Sequence, residues 1–375
     1  MATTTSNQIL LVNILIEAGV PVFLEGNPGT AKSSIVEGLC RSLDRHCETV
    51  LASLREPADF GGLPVVTPEG VVLHAPRFAQ TLAKAARGVL FLDEITHAAP
   101  AVQAALGRVV LDRVVGDCDM GKHKTSIVLA GNSANSGGCN PVIEMLNNRC
   151  AHVEWHLPLK SWLDGCLTGF EDPTGIRLPA DWHAAHFPTA MARIRSFIEK
   201  NPTLAETTEE AAATAKAYPT LRSWTNAATA VAAAQAAGHG PNSEVAADLV
   251  ISLVGEGAGR AYCTWVQAQD LADPEEVLAN AATFVLPTRG DRISTLLDGV
   301  VAACLAKGGR TDKEIAARYA AAWVVVARVS DAGFRDIVVP AGYLLAAKRP
   351  TFCPVPAEIT KLASIMNAAG LLGTR

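Results

Sequence analysis

The sequence predicts an α/β domain on a parallel sheet, followed by an all-helical lid and a helical C-terminal extension. Three observations carry that prediction. Short apolar runs alternate with helical patterns as far as Trp155, one run ends in a Gly-rich turn, and the chain beyond Trp182 is Ala-rich with helical spacing. Alternation of this kind implies a parallel sheet covered on both faces. The expected strands are Val20–Leu24, Glu48–Ser53, Val89–Leu92, Thr125–Ala130 and Ala151–Trp155. Between the first two, Ala31–Leu43 places Ile35, Val36, Leu39, Cys40 and Leu43 on one helical face. Leu157–Trp182 reads as a linker with one short helix, and later helices are expected at Ala190–Lys200, Thr220–Ala237, Ser243–Gln267, Ile293–Ala306 and Asp312–Val329.

Composition sets the outer bounds. Of 375 residues, 49% are hydrophobic and 18% charged, which is enough apolar surface for a large core and excludes dominant disorder. A net charge of −5 and 5% aromatics argue against nucleic acid as the main ligand, since such binders carry basic excess or stacking platforms. Nine scattered cysteines form no CxxC pair, a pattern that suits a reducing cytoplasm. The apolar stretch Ile9–Leu24 is interrupted by Asn13, Glu17 and Pro21, so it reads neither as a membrane span nor as a signal peptide.

Gly26-Asn27-Pro28-Gly29-Thr30-Ala31-Lys32-Ser33 follows the first expected strand and opens the first expected helix. A Walker A loop needs that context, because backbone N–H groups in the loop and at the helix N-terminus point at a phosphate. Lys32 would bring a mobile positive charge to the β- and γ-phosphates of ATP, and Ser33 a hydroxyl ligand to Mg²⁺. Ala31 stands where Gly is commoner. Val89–Leu92 then ends in Asp93-Glu94, a Walker B pattern in which Asp93 would hold Mg²⁺ and Glu94 would act as general base. Two adjacent acids closing a buried strand call for such a partner, since unpaired buried charge is costly.

Three further polar residues follow. Asn132 ends the next strand and could orient water or the γ-phosphate, although Gly131-Asn132-Ser133 is also turn-like. Arg149, ahead of the fifth strand, would sit at a domain edge, where it could reach a neighbouring subunit's γ-phosphate as an arginine finger in a ring, or serve as a surface or interface salt-bridge arginine. Arg222 opens a helix in the second region and could reach the γ-phosphate from above.

Together these residues resemble the AAA+ ATPases, a class of P-loop NTPase, and within them the MoxR family. The loop Pro28-Gly29-Thr30-Ala31-Lys32-Ser33 is similar to MoxR loops, which commonly carry Ala before the lysine. Leu54–Gly62 followed by Val65–Leu73 looks like that branch's helix-2 insert, with a hairpin around Pro68-Glu69-Gly70. Ala104–Val115 and Gly116–Lys124 look like the approach to a second hairpin, with Asp112-Arg113 as the family's acidic–Arg pair. The resemblance covers residues 10 to 240. It implies Lys32 and Ser33 for phosphate and Mg²⁺, and Asp93 and Glu94 for Mg²⁺ and hydrolysis. It further implies Asn132 as sensor 1, Arg149 as the trans finger and Arg222 as sensor 2. Cys150 and Thr220-Leu221-Arg222 depart from the family's usual Phe and Ser-Pro-Arg.

The expected domains are 1–157 for the nucleotide sheet, 158–265 for the lid and 266–375 for the extension. The expected activity is that of an ATP-hydrolysing motor, a cytoplasmic homohexamer that remodels a protein client. The resemblance implies, as a frequent client, a protein with a von Willebrand factor A domain. Two rivals are a subunit of a nucleic-acid-processing or restriction-type complex, for which only Lys122 and Lys124 speak, and a nucleotide-gated assembly scaffold. His183 and His186 read as a surface pair, and Trp162, Trp182, Trp265 and Trp323 as core anchors. Asp270–Glu276 reads as an acidic helix start.

Overall fold

The computed structural model describes residues 5–68, 70–132, 140–208, 212, 215–269, 272–306 and 308–359. Ser133, Glu69, Asp270 and Leu271, each part of a motif above, lie outside them, as does Cys139, one of the nine cysteines. The chain forms two compact units: Met1–Leu178 with Leu204–Arg260, and Pro179–Thr203 with Ala261–Arg375. This division runs differently from the three consecutive segments expected from sequence.

The first unit opens with helix α1 (Thr5–Ala18), strand β1 (Val22–Glu25), α2 (Lys32–Ser42) and β2 (His46–Leu51). Next come α3 (Pro57–Gly61), the hairpin β3 (Leu63–Thr67) and β4 (Gly70–His74), α4 (Arg77–Lys84) and β5 (Gly88–Asp93). After α5 (Pro100–Asp112), a short hairpin of β6 (Val114–Val115) and β7 (Cys118–Asp119) leads to β8 (Thr125–Gly131). The run ends with α6 (Glu144–Asn147), β9 (Ala151–Glu154) and α7 (Leu159–Thr168). The five expected apolar runs all pair, in the order β2-β5-β8-β1-β9, and every pairing is parallel. Every residue of β8 is buried, as is every residue of β5 up to Leu92, which is how a sheet covered on both faces reads.

The first unit is pinned by buried charge. Glu17 accepts hydrogen bonds from Arg45 at 2.9 Å and from Arg87 at 2.6 and 2.7 Å, and its side chain is only 3% exposed. Such a site holds only because the acid is fully partnered. Arg113, placed by the resemblance in an acidic–Arg pair, is buried and donates to the carbonyls of Thr125 and Gly19.

In the second unit, α8 (Trp182–Lys200) is continued by helices after the chain has returned to the first unit for α9 (Leu221–Ala236) and α10 (Glu244–Val254). Beyond α11 (Glu256–Gln269) come α12 (Pro274–Ala279), α13 (Gly290–Leu305), α14 (Asp312–Asp331) and α15 (Arg335–Ala347). Trp323, Val326 and Leu297 centre its core, and Tyr319 donates to the Leu345 carbonyl at 3.0 Å. A Thr311–Glu314 capping box starts α14.

Several expectations are corrected. The single helix Ser243–Gln267 is two, because Gly255 adopts φ +82° and a side chain there would meet the Ala217 carbonyl oxygen at 2.4 Å. The second hairpin closes by Asp119, so Lys122–Lys124 lies beyond it in the turn before β8. Helix α8 begins at Trp182 rather than Ala190, and α1 and α15 were not expected as helices. Trp323 is fully buried, but Trp162 is 48% exposed and anchors no core. Among the described residues, no helix is long and apolar enough to cross a membrane.

Candidate nucleotide site

Parallel strands end on one edge of a sheet, so β1, β5 and β8 deliver their following residues to the same crevice. Glu25 of β1 pairs with Gly131 of β8, and Leu92 of β5 with Leu129, so the three strand ends finish within two residues of each other. Around them lies a cavity of about 770 Å³. Its lining includes the loop Pro28–Ser33, Asp93, Glu94 and Asn132.

The loop is held from beneath. A side chain on Gly26 would overlap the Trp155 carbonyl oxygen at 2.2 Å, so β9 demands glycine there. Trp155 donates its indole N–H to the Thr30 carbonyl at 2.8 Å, and Thr30 donates to Asn27 at 2.7 Å. Ala31 adopts φ +62°, a left-handed conformation that costs a non-glycine residue about 1–2 kcal/mol. Strain of that kind is what a rigid phosphate cradle stores.

Lys32 starts α2, is buried, and donates to the carbonyls of Gly26 at 2.9 Å and Asn27 at 2.8 Å. Burial pushes its pKa down, against the opposing pull of Asp93. Ser33 donates its hydroxyl to Asp93 Oδ2 at 2.7 Å. A hydroxyl and a carboxylate so placed are hard oxygen donors, and the pair fits Mg²⁺. Asp93 Oδ1 meanwhile accepts from the Glu94 amide at 2.8 Å.

Glu94 adopts φ +57°, so its backbone is strained as well. Its carboxylate accepts a hydrogen bond from Ser53, which follows β2. Sequence reading placed Ser53 in the strand and missed this contact. Asn132 donates its backbone N–H to the Thr96 hydroxyl at 3.0 Å and borders the cavity.

Arg149 and Arg222 do not line this cavity. Arg149 donates to the Gly107 carbonyl, and its Nε is buried without a hydrogen-bond partner. Its pKa is lowered first by burial and then by the nearby charge of Arg222. The two arginines therefore share one region. Asn148 donates to the Tyr218 carbonyl at 3.4 Å and accepts from Thr220 at 3.1 Å, while Tyr218 donates to Glu144 at 3.1 Å. These bonds hold the start of α9 against the segment that carries Arg149.

Sheet, loop and carboxylate pair define the AAA+ fold of P-loop NTPases. Residues 21–149, about a third of the chain, match the model of the AAA domain, dynein-related subfamily. A solved structure of a candidate ATPase from Cytophaga hutchinsonii is similar over 76% of this chain and 92% of its own, at 12% identity and a TM-score of 0.37. That overlap is too loose to carry an argument. No curated protein matches the chain.

Proposed function

We propose that this chain is a Mg²⁺-dependent ATPase and a motor of MoxR type, acting as a ring on a protein client. The observation that carries the ATPase reading is the Ser33–Asp93 contact, with Lys32 and Glu94 beside it in one cavity. Lys32 and the amides of the loop bind and orient the phosphates. Ser33 and Asp93 hold Mg²⁺, which when bound neutralises phosphate charge. Glu94 takes the proton of the attacking water, and Asn132 orients that water.

The ring reading is supported by Arg149 and Arg222. Both stand away from their own cavity, at one region of the first unit, which suits groups that serve a neighbouring subunit's nucleotide. A homohexamer accommodates that arrangement. A cytoplasmic location and a von Willebrand factor A-domain client rest on the cysteine pattern and the MoxR resemblance alone. Of the two lysines that speak for a nucleic-acid partner, Lys124 donates its ammonium to the Ala83 carbonyl, which weakens that rival.

Phosphate release with Mg²⁺ and ATP tests the reading. Lys32→Ala is expected to abolish nucleotide binding. Glu94→Gln is expected to keep binding and lower hydrolysis by about 10²–10⁴-fold. Full hydrolysis by the Glu94→Gln protein would sink the assignment.

A further inference from the structure

The phosphate-directed groups account for only part of the cavity. Much of the remaining lining comes from a segment that follows the sheet: Leu157, Ser161, Trp162, Phe170, Glu171 and Pro173. This segment is α7 and the strap behind it. No residue of α7 is buried, so α7 is not held in place by a packed face.

The strap is nonetheless firmly fixed. Arg41, in the last turn of α2, donates twice to Asp172, each time at 2.6 Å. A side chain on Gly38 would meet Asp172 and Pro173 at 2.8 Å, so the strap lies directly on α2. Ser42 accepts from the Gly175 amide, Asn13 exchanges two hydrogen bonds with Ile176, and Arg177 donates to the Leu43 carbonyl. Nine residues at 1.5 Å each separate Lys32 from Arg41, so α2 carries the strap about 14 Å beyond the phosphate end. Phe170 folds back onto Gly165, where a side chain would stand 2.3 Å from its ring. Two aromatic rings, Trp162 on α7 and Phe170 at the head of the anchored strap, thus border the same cavity.

We propose that residues 157–173 form the nucleobase subsite, with the Trp162 indole stacking on the purine ring and Ser161 and Glu171 offering polar edges. The proposal rests on the nucleotide reading of the cavity. An indole that is half exposed and borders a cavity of this kind has the flat apolar face that a base needs. Base–aromatic stacking is sequence-tolerant and strong enough to measure.

The test compares ADP, which carries a base, with tripolyphosphate, which does not, each with Mg²⁺ and the full chain. Trp162→Ala is expected to weaken ADP about tenfold or more while tripolyphosphate affinity holds within about twofold. Trp162→Phe, which keeps a ring, is expected to stay within about threefold of wild type for ADP. ADP should also quench tryptophan fluorescence in the wild type more than in Trp162→Phe. Unchanged ADP affinity in Trp162→Ala, or equal losses for both ligands, would overturn the subsite. Wild-type protein that binds neither ligand would instead remove the nucleotide reading, and the subsite with it.

Discussion

The two units of this chain are built to opposite specifications. The first holds a cavity of about 770 Å³ bordered by strained backbone at Ala31 and Glu94. The second encloses one of about 10 Å³, lined by residues such as Thr189, Pro274 and Leu296, barely room for a water. In the second unit, polar groups serve to fasten helices: Glu275 takes two hydrogen bonds from Arg318, and Arg328 donates to the carbonyls of Ala281 and Phe284. One unit holds strained backbone at an open cavity; the described part of the other is fastened helix to helix. Substitutions should therefore separate cleanly, with activity lost in the first and stability lost in the second.

The largest expected effect is at Arg149. Arg149→Ala should lower hydrolysis by about 10³–10⁵-fold if it acts on a neighbour's nucleotide, with ATP binding retained. Mixing it with an excess of Glu94→Gln protein should restore turnover, because each supplies what the other lacks. Failure of that complementation would place Arg149 in a structural role. Next in size, Trp323→Ala should destabilise the second unit by about 3–5 kcal/mol. Calorimetry should then show one transition displaced, with nucleotide affinity within about threefold of wild type. A collapse of affinity would break the division of labour. The smallest effect is at Ser53, whose hydroxyl occupies the Glu94 carboxylate. Ser53→Ala should raise basal hydrolysis, by about tenfold at most for one exposed hydrogen bond to a charged group. A fall would mean that Ser53 orients the base rather than restraining it.

How much of this was legible in sequence depended on chain distance. The loop from Gly26 to Ser33 and the pair Asp93-Glu94 were readable because each lies on consecutive residues at the end of one apolar strand. The sheet was readable for the same reason: β5 and β8 are unbroken apolar runs. Contacts made across the fold were not. Ser53 meets Glu94 from 41 residues away, and Arg41 meets Asp172 from 131. No local pattern marks such pairs, and Trp162 was misread for this reason. A tryptophan is usually a core residue, and only the strap's path along α2 puts this one at a cavity. The break at Gly255 was within reach, since an isolated glycine in a helical run is a known stop signal.

The interleaving of the two units governs how the molecule can be taken apart. The chain leaves the first unit after Leu178, returns at Leu204 and leaves again after Arg260. Helix α8 is thus an outpost of the C-terminal third, with Phe197 set edge-on against Tyr262 at 5.3 Å and close to Trp265 at 5.6 Å. Truncation after Arg260 would strip that face and leave an adhesive apolar helix in mid-chain. A fragment meant to carry the first unit alone must therefore lose Pro179–Thr203 as well.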